Sequence, residues 1–224
     1  MRAVLIESRD LASGVRHFVF ESADIEGSKF KPGQFVSFSE MIGEKRITRA
    51  YSIVSPEIRD NRFELCLNLV EDGRISPLLF GMKPGDSIDM KGPLGGFVLK
   101  EPLTDSIFIA TGTGIAPIRS MLLSIPGPSA HRITLLFGAR YRNGLHYLDD
   151  LKALPIDARP TLTRPDADWQ GRTGWVQEHL DEVIGERRDW QFYICGLKAM
   201  VDDVRARLKA VGFERTQITY EKFD

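Results

Sequence analysis

The 224-residue sequence predicts a two-part fold: a small antiparallel β-barrel or sandwich over residues 1–100, then an α/β domain built on a parallel sheet over residues 101–224. Three observations predict it. Short strands separated by turn signals fill the first hundred residues. Beyond residue 105 apolar strands alternate with stretches of helical spacing, the pattern of strand–helix–strand units. At the join, Ile107-Phe-Ile-Ala-Thr-Gly-Thr-Gly-Ile-Ala-Pro-Ile-Arg-Ser-Met121 reads as a buried strand, a glycine turn and a helix.

In the first part, Ala3 to Glu7 and His17 to Glu21 are strands, and Lys31-Pro32-Gly33-Gln34 is a turn feeding the strand Phe35 to Phe38. Phe63-Glu64-Leu65-Cys66-Leu67-Asn68-Leu69 alternates, so Phe63, Leu65, Leu67 and Leu69 share one face; Cys66 on the other face reads as a small packing residue. A short helix at Ser76 to Phe80 takes Ser76 as N-cap and Pro77 as its first residue. Lys83-Pro84-Gly85-Asp86 turns into the strand Ser87 to Met90, and Gly92-Pro93-Leu94-Gly95-Gly96-Phe97 closes this half.

In the second part the strands are Ile107 to Ala110, Ile133 to Phe137, Ala158 to Leu162 and Phe192 to Cys195. Pro117 starts the helix after the glycine turn, where its missing N–H has no partner to lose. The clearest helix is Lys198 to Val211, with Val201, Val204, Leu208 and Val211 in one apolar stripe and Gly212 as the residue that ends it. Gln217 to Tyr220 is a last strand before the tail Glu221-Lys222-Phe223-Asp224.

Composition narrows the function. A hydrophobic share of 42% and a net charge of -1 argue against disorder and against a general attraction to nucleic acid or anionic membrane. No apolar run approaches the ~20 residues of a membrane span, and Glu7 interrupts any signal-peptide core, so the expected location is the cytoplasm. Cys66 and Cys195 are too few for a cysteine-ligated iron–sulfur cluster or a four-cysteine zinc site, and His17, His131, His146 and His179 show no metal-ligand spacing. No metal is expected.

Four short motifs carry candidate chemistry. In Arg49-Ala50-Tyr51-Ser52, read as the start of a strand, a guanidinium, a flat ring and a hydroxyl could hold a phosphate, stack on a planar group and bond its edge; the alternative is an ordinary strand with a surface Arg and a half-buried Tyr. Gly73-Arg74-Ile75-Ser76 leads into a helix start that offers free N–H groups to an anion, or is only a capped helix. The turn from Thr111 to Pro117 offers the same, although Pro117 stands where the fingerprint G-x-G-x-x-G has its third glycine. Cys195-Gly196 ends a parallel strand, where ligands of open α/β sheets bind, or is an inert buried thiol.

Taken in order, Arg-x-Tyr-Ser (49 to 52), Gly-x-x-Ser (73 to 76), Gly-Pro-Leu-Gly-x-Phe (92 to 97), Ala-Thr-Gly-Thr-Gly-Ile-Ala-Pro (110 to 117), Phe-Gly-Ala-Arg (137 to 140) and Tyr-Ile-Cys-Gly-x-x-x-Met (193 to 200) resemble the ferredoxin-NADP reductase superfamily along essentially the whole chain. The resemblance implies an N-terminal antiparallel barrel that binds FAD and a C-terminal α/β domain that binds a nicotinamide nucleotide. By the same resemblance Arg49 contacts the flavin pyrophosphate, Tyr51 stacks on the isoalloxazine, Ser52 lies near flavin N5, and Gly73 and Ser76 help hold the phosphates. Gly112, Thr113 and Gly114 take the nucleotide pyrophosphate, while Cys195 and Gly196 lie beside the nicotinamide. Ser52 and Cys195 thus stand as catalytic candidates. Phe223 joins them as the ring covering the flavin, in a tail closer to the reductases of aromatic-ring oxygenases than to plant-type members, which end in Tyr. Oxygenase reductases usually carry a fused plant-type iron–sulfur domain that this sequence lacks, so a stand-alone flavoprotein is expected.

For the choice of nucleotide, the second strand of the α/β part ends in Gly138-Ala139-Arg140 with no acidic residue to take a ribose 2′-hydroxyl. Arg164 and Arg172, with Thr163, could bind a 2′-phosphate as resembling positions do in bacterial NADPH-dependent members, or could be solvated surface residues. The leading expectation is an FAD-dependent NAD(P)H reductase, NADPH favoured over NADH, passing electrons singly to a ferredoxin, a flavodoxin or an oxygenase component. The alternatives are an NAD(P)H:flavin reductase that releases reduced flavin, and a non-catalytic nucleotide-binding relative.

Overall fold

The computed structural model describes residues 1–25 and 29–223, and the chain divides into two compact units. One comprises Met1–Val98 with Arg119–Ser124; the other comprises Leu99–Ile118 and Ile125–Asp224. Asp224, the end of the expected tail, lies outside the described residues. Among the described residues no helix is long and apolar enough to cross a membrane.

The first unit holds strands β1 (Arg2–Ala12), β2 (Val15–Glu21), β3 (Phe35–Ile42), β4 (Lys45–Ser52) and β5 (Arg62–Asn68), helix α1 (Ser76–Gly81) and strand β6 (Ser87–Leu94). They form one antiparallel sheet in the order β4-β3-β6-β1-β2-β5. The two outer strands meet where the chain leaves β4. Ile53 bridges Leu65 of β5, and the Val54 N–H donates to the Glu64 carbonyl at 2.9 Å. That closes the sheet into a barrel and removes a free edge.

Alternation decides what lies inside. Phe18 and Phe20 of β2 pair with Leu65 and Phe63 of β5, and all four are fully buried. Phe20 lies 5.0 Å from the ring of Phe38 and 6.0 Å from that of Phe63. Burying each such side chain contributes roughly 1.5–3 kcal/mol. A slip of one residue would turn the whole set to solvent, so the pattern fixes the register.

Several expected boundaries move. The strand expected at Ala3 to Glu7 runs on to Ala12, because it pairs with β2 through a hairpin whose turn Gly14 closes at φ +70°. The residues of Arg49-Ala50-Tyr51-Ser52 end β4 instead of starting a strand, since pairing with β3 begins earlier, at Lys45. Ser76 is not the N-cap of α1. Ile75 holds that position with no side-chain cap, because the Ser76 hydroxyl turns back to the loop before it.

The second unit contains β7 (Ser106–Thr111), the start of α2 (Ile115–Ser124), β8 (Ile133–Ala139), α3 (Leu148–Lys152), β9 (Asp157–Leu162), β10 (Arg172–Thr173), α4 (Leu180–Ile184), β11 (Gln191–Leu197), α5 (Lys198–Ala210) and β12 (Ile218–Phe223). Every neighbouring pair in the order β10-β9-β8-β7-β11-β12 is parallel. The central strands β7, β8 and β11 are buried almost throughout, as strands covered on both faces must be. Val201, Val204 and Leu208 of α5 pack into the core with Phe192 and Ile218.

Three expectations for this half are corrected. Val211 stands 39% exposed, because the helix ends at Ala210 and Val211 is already its C-cap. The helix after the glycine turn begins at Ile115, two residues before Pro117. The last strand runs to Phe223, since β12 keeps its pairing with β11 up to Leu197, and Phe223 is therefore strand and not tail. The two-residue β10 was not foreseen, being too short to show a period.

The chain lays β8, β9 and β10 on one side of β7, then returns to place β11 and β12 on the other. Strand order reverses between β7 and β11. Outside the carboxyl ends of such a pair lies the crevice in which open α/β sheets hold ligands.

Candidate functional site

In the barrel, strand alternation puts Arg49 and Tyr51 on the face of Ile47, and Ala50 and Ser52 on the other. Tyr51 packs against Phe38, ring centroids 5.8 Å apart, and burial pushes its phenol up to about 12 although Arg49 pulls the other way. Its hydroxyl keeps its proton at neutral pH and remains a donor. Arg49, paired with Phe38 across the ladder, is exposed and donates from Nη1 to the Thr48 carbonyl at 2.8 Å. A guanidinium has five N–H donors, so most of this one remains for an anion. Ser52 is buried at the end of the strand opposite Phe35.

Gly73 and Ser76 hold one tight loop. The Gly73 N–H donates to the Val70 carbonyl at 2.8 Å, and Ser76 Oγ accepts from the Val70 N–H at 3.0 Å. A Cβ on Gly73 would sit 2.8 Å from that carbonyl and 3.1 Å from Ser76 Oγ, so the loop closes this tightly only around glycine. Ile75 is fully buried in the barrel core, which leaves only its backbone for a ligand, while Arg74 is exposed.

In the second unit, β7 ends in Thr111 and passes through the 3-10 turn Gly112–Gly114 into α2, while β11 carries Cys195 and Gly196 at its end. The two turns meet backbone to backbone. A Cβ on Gly114 would collide with the Cys195 carbonyl, lying 2.6 Å from its carbon and 2.7 Å from Gly196 Cα. A Cβ on Gly196 would run into Thr111 Oγ1. Gly112, at φ +54°, has open space where a Cβ would point, so a ligand finds bare backbone there. Thr113 is buried and Pro117 lies in the first turn of α2.

Thr111 Oγ1 is sealed from solvent with no hydrogen-bond partner. A hydroxyl left so costs about 1–3 kcal/mol. Cys195 is fully buried, and burial, with the Glu221 carboxylate adding to it, pushes its thiol well above the ordinary value. It is held as a neutral thiol and not as a nucleophile. Phe223 pairs with Leu197 at the same end of the sheet and is partly exposed.

The three positions expected at the ribose phosphate, Thr163, Arg164 and Arg172, separate into two groups. The Thr163 N–H donates to the Ala139 carbonyl at 3.1 Å and the Arg164 N–H to the Arg140 carbonyl at 2.9 Å, which ties residues 163–164 to the end of β8 and brings Arg140 and Arg164 together. Both arginines are exposed. Arg172 is engaged elsewhere: its guanidinium pairs with Glu182 of α4 at 2.5 Å, a bond that holds its proton still more firmly. Sequence reasoning missed Tyr141, whose hydroxyl accepts from Arg164 Nη1 at 3.4 Å. Its place directly after Arg140 was the available signal.

The residues present fit the two groups expected of them. The bare glycine turn and the orphaned Thr111 hydroxyl, at a strand-order reversal, suit the phosphates and polar edge of a nicotinamide nucleotide. The exposed guanidinium of Arg49, the ring of Tyr51 and the hydroxyl of Ser52, within four residues, form a donor set suited to a flavin and its phosphates.

Comparison with known proteins finds a family for each of these two groups. Residues 2–99 match the family described as oxidoreductase FAD-binding domain, and residues 108–206 match the oxidoreductase NAD-binding domain. The chain is 35% identical to ferredoxin-NADP reductase B of Sorangium cellulosum over 99% of this chain and 97% of that one. It is 30% identical to the xylene/toluene monooxygenase electron transfer component of Pseudomonas putida, covering 87% of this chain but only 57% of that longer protein. Among solved structures, a ferredoxin NADP+ reductase from Neisseria gonorrhoeae with bound FAD and NADP superposes with a TM-score of 0.84 at 25% identity, covering 99% of this chain and 98% of that one.

Proposed function

The chain belongs to the ferredoxin-NADP reductase superfamily, an oxidoreductase with FAD-binding and NAD-binding domains, and from that premise we propose that it oxidises NADPH and delivers electrons one at a time to a small redox protein, a ferredoxin or flavodoxin, or to an oxygenase component. The observation that carries the reading is the crevice end of β7 and β11, where Gly114 and Gly196 let two turns touch without side chains and the Thr111 hydroxyl lacks a partner. When bound, FAD supplies the conversion of a two-electron hydride into electrons that leave singly.

The chain's own residues bind and orient. In this reading Arg49 neutralises flavin phosphate with the donors that Thr48 does not use, and Tyr51, already fixed against Phe38, offers a rigid face. Ser52, buried at the end of β4, would lie near flavin N5. The turn at Gly112–Gly114 gives backbone N–H groups to the nucleotide pyrophosphate, with the start of the ten-residue α2 behind it. Cys195, held as a neutral thiol, would lie beside the nicotinamide. Arg140 and Arg164 supply two positive charges for a 2′-phosphate, and no described carboxylate pairs with either. That supports NADPH over NADH. The relatives' names support the redox partners: one is a ferredoxin-NADP reductase, the other an electron transfer component of a monooxygenase.

An anaerobic absorbance titration tests the reading. Protein purified with its flavin bands should bleach at low NADPH and only at much higher NADH. Colourless protein that neither nucleotide can use to reduce added FAD would refute it.

A further inference from the structure

We propose that Arg142 and Asp166, braced by Trp169, form a positioning clamp that sets the preference for a 2′-phosphorylated nucleotide by fixing Arg164 beside Arg140. The inference rests on the NADPH reading above and adds the device that makes the site selective.

The segment 163–171 between β9 and β10 starts from two backbone bonds, Thr163 to Ala139 and Arg164 to Arg140. Beyond Arg164 it leaves the ladder, and what shapes it is a compact set of side chains. Arg142, just past the end of β8, grips Asp166 with two parallel bonds, Nη2 to Oδ1 at 2.9 Å and Nε to Oδ2 at 3.2 Å. Its guanidinium lies 5.5 Å from the Trp169 ring centroid. Trp169 in turn donates its N–H to the Asp166 carbonyl at 3.2 Å and its Nε1 to the Arg172 carbonyl at 2.8 Å. Gly171 lies close against the ring, where a Cβ would come within 2.7 Å of Cε2. One end of the segment is therefore tied to β8, the other to β10, and the middle is filled by an indole.

Charge is sorted along with shape. Of the four arginines here, Arg142 and Arg172 are neutralised by Asp166 and Glu182. Arg140 and Arg164 are joined through their backbones, both side chains are exposed, and no described carboxylate pairs with either. Adjacent like charges repel, and a group of opposite charge relieves the repulsion. A phosphate monoester, with charge near −2 and several acceptor oxygens, does so for both at once. Arg164 donates to Tyr141, the residue before Arg142, so the clamp lies one residue from the group that orients Arg164. The pair is about half exposed, at 52% and 51%, which argues that its two-bond geometry and not its strength matters.

The test separates geometry from charge. Arg142→Gln combined with Asp166→Asn breaks the pair but leaves net charge unaltered, and the exchange Arg142→Asp with Asp166→Arg offers the pair in reverse. Two readouts are taken on the flavin-loaded protein: calorimetric titration with 2′-phospho-AMP, and KM and kcat for NADPH and NADH with ferricyanide as acceptor. The neutral double variant should weaken 2′-phospho-AMP binding and raise KM for NADPH, each about fivefold, with kcat and KM for NADH unchanged; the exchange should recover at least half. Equal effects on both nucleotides, no effect on 2′-phospho-AMP, or no recovery in the exchange would overturn the clamp, provided Arg164→Ala lowers the preference for NADPH. If Arg164→Ala leaves that preference intact, the NADPH reading itself fails and the clamp falls with it.

Discussion

Replacing Gly114 by Ala puts one methyl group where the turns after β7 and β11 touch. Its nearest neighbours would be backbone: the Cys195 carbonyl, with its carbon at 2.6 Å, and Gly196 Cα at 2.7 Å. Ordinary van der Waals contact starts at 3.4 Å, so the turns must separate by about 0.8–1 Å. No flexible side chain is available to move aside. Overpacking of this kind costs typically 1–3 kcal/mol, and the rigid obstacle puts this case at about 3 kcal/mol. At about 2–4 °C per kcal/mol for a protein of this size, the melting temperature should fall by roughly 6–12 °C. A displacement approaching 1 Å in a positioning turn costs on the order of a hundredfold in rate, and flavin reduction by NADPH should slow accordingly. Gly112→Ala is the contrast. Its Cβ meets nothing within 4 Å, so only the strain of φ +54° remains, about 1–2 kcal/mol. Calorimetry and rapid-mixing absorbance would follow both variants. If Gly114→Ala melts within about 2 °C of the wild type and reduces its flavin at the same rate, the backbone-to-backbone account of this site is wrong.

Four further outcomes are expected. Arg49→Ala should lose most bound FAD, read as flavin absorbance per protein after gel filtration, while the apoprotein's melting point stays put because the side chain is exposed; full flavin content would remove Arg49 from the site. Cys195 should resist alkylation by iodoacetamide at pH 8 until the protein is unfolded, since burial and Glu221 keep it a neutral thiol, and rapid labelling of the native protein would contradict this. Cys195→Ala should slow flavin reduction with the fold intact, and an unchanged rate would take Cys195 out of the nicotinamide site. His17 is buried in the barrel with its pKa lowered to about 4 by burial first, then by Arg9 and Arg119. Below its unfolded pKa of about 6.5 the unfolded chain takes up a proton that the folded one refuses, so stability is lost as pH falls from 6.5 towards 4, by up to ~1.4 kcal/mol per pH unit. Urea unfolding at pH 7 and pH 5 should show the wild type losing about 2 kcal/mol more than His17→Gln, and identical losses would mean that His17 is protonated in the folded state.

The sequence by itself determined what depends on neighbours along the chain. The period-two run from Phe63 to Leu69 announces a barrel strand; Phe63, Leu65 and Leu67 bury as it predicts, while the strand stops at Asn68 and leaves Leu69 half-buried. The apolar runs beginning at Ile107, Ile133 and Phe192 announce a parallel sheet, because covered strands cannot alternate. The glycines between Thr111 and Ile115 mark a turn. Even so, the tie of Ser76 to Val70 and the pairing of β12 through Phe223 were decided by partners elsewhere in the fold, which local propensity does not name. Only the tertiary structure showed that Gly196 is glycine because Thr111 stands against it, 85 residues earlier in the chain. It alone sorted the arginines, leaving Arg140 and Arg164 together without a carboxylate and giving Arg172 to Glu182. Periodicity is a property of consecutive residues, but charge pairing and close backbone approach belong to residues that meet only when strands from distant parts of the chain are laid side by side.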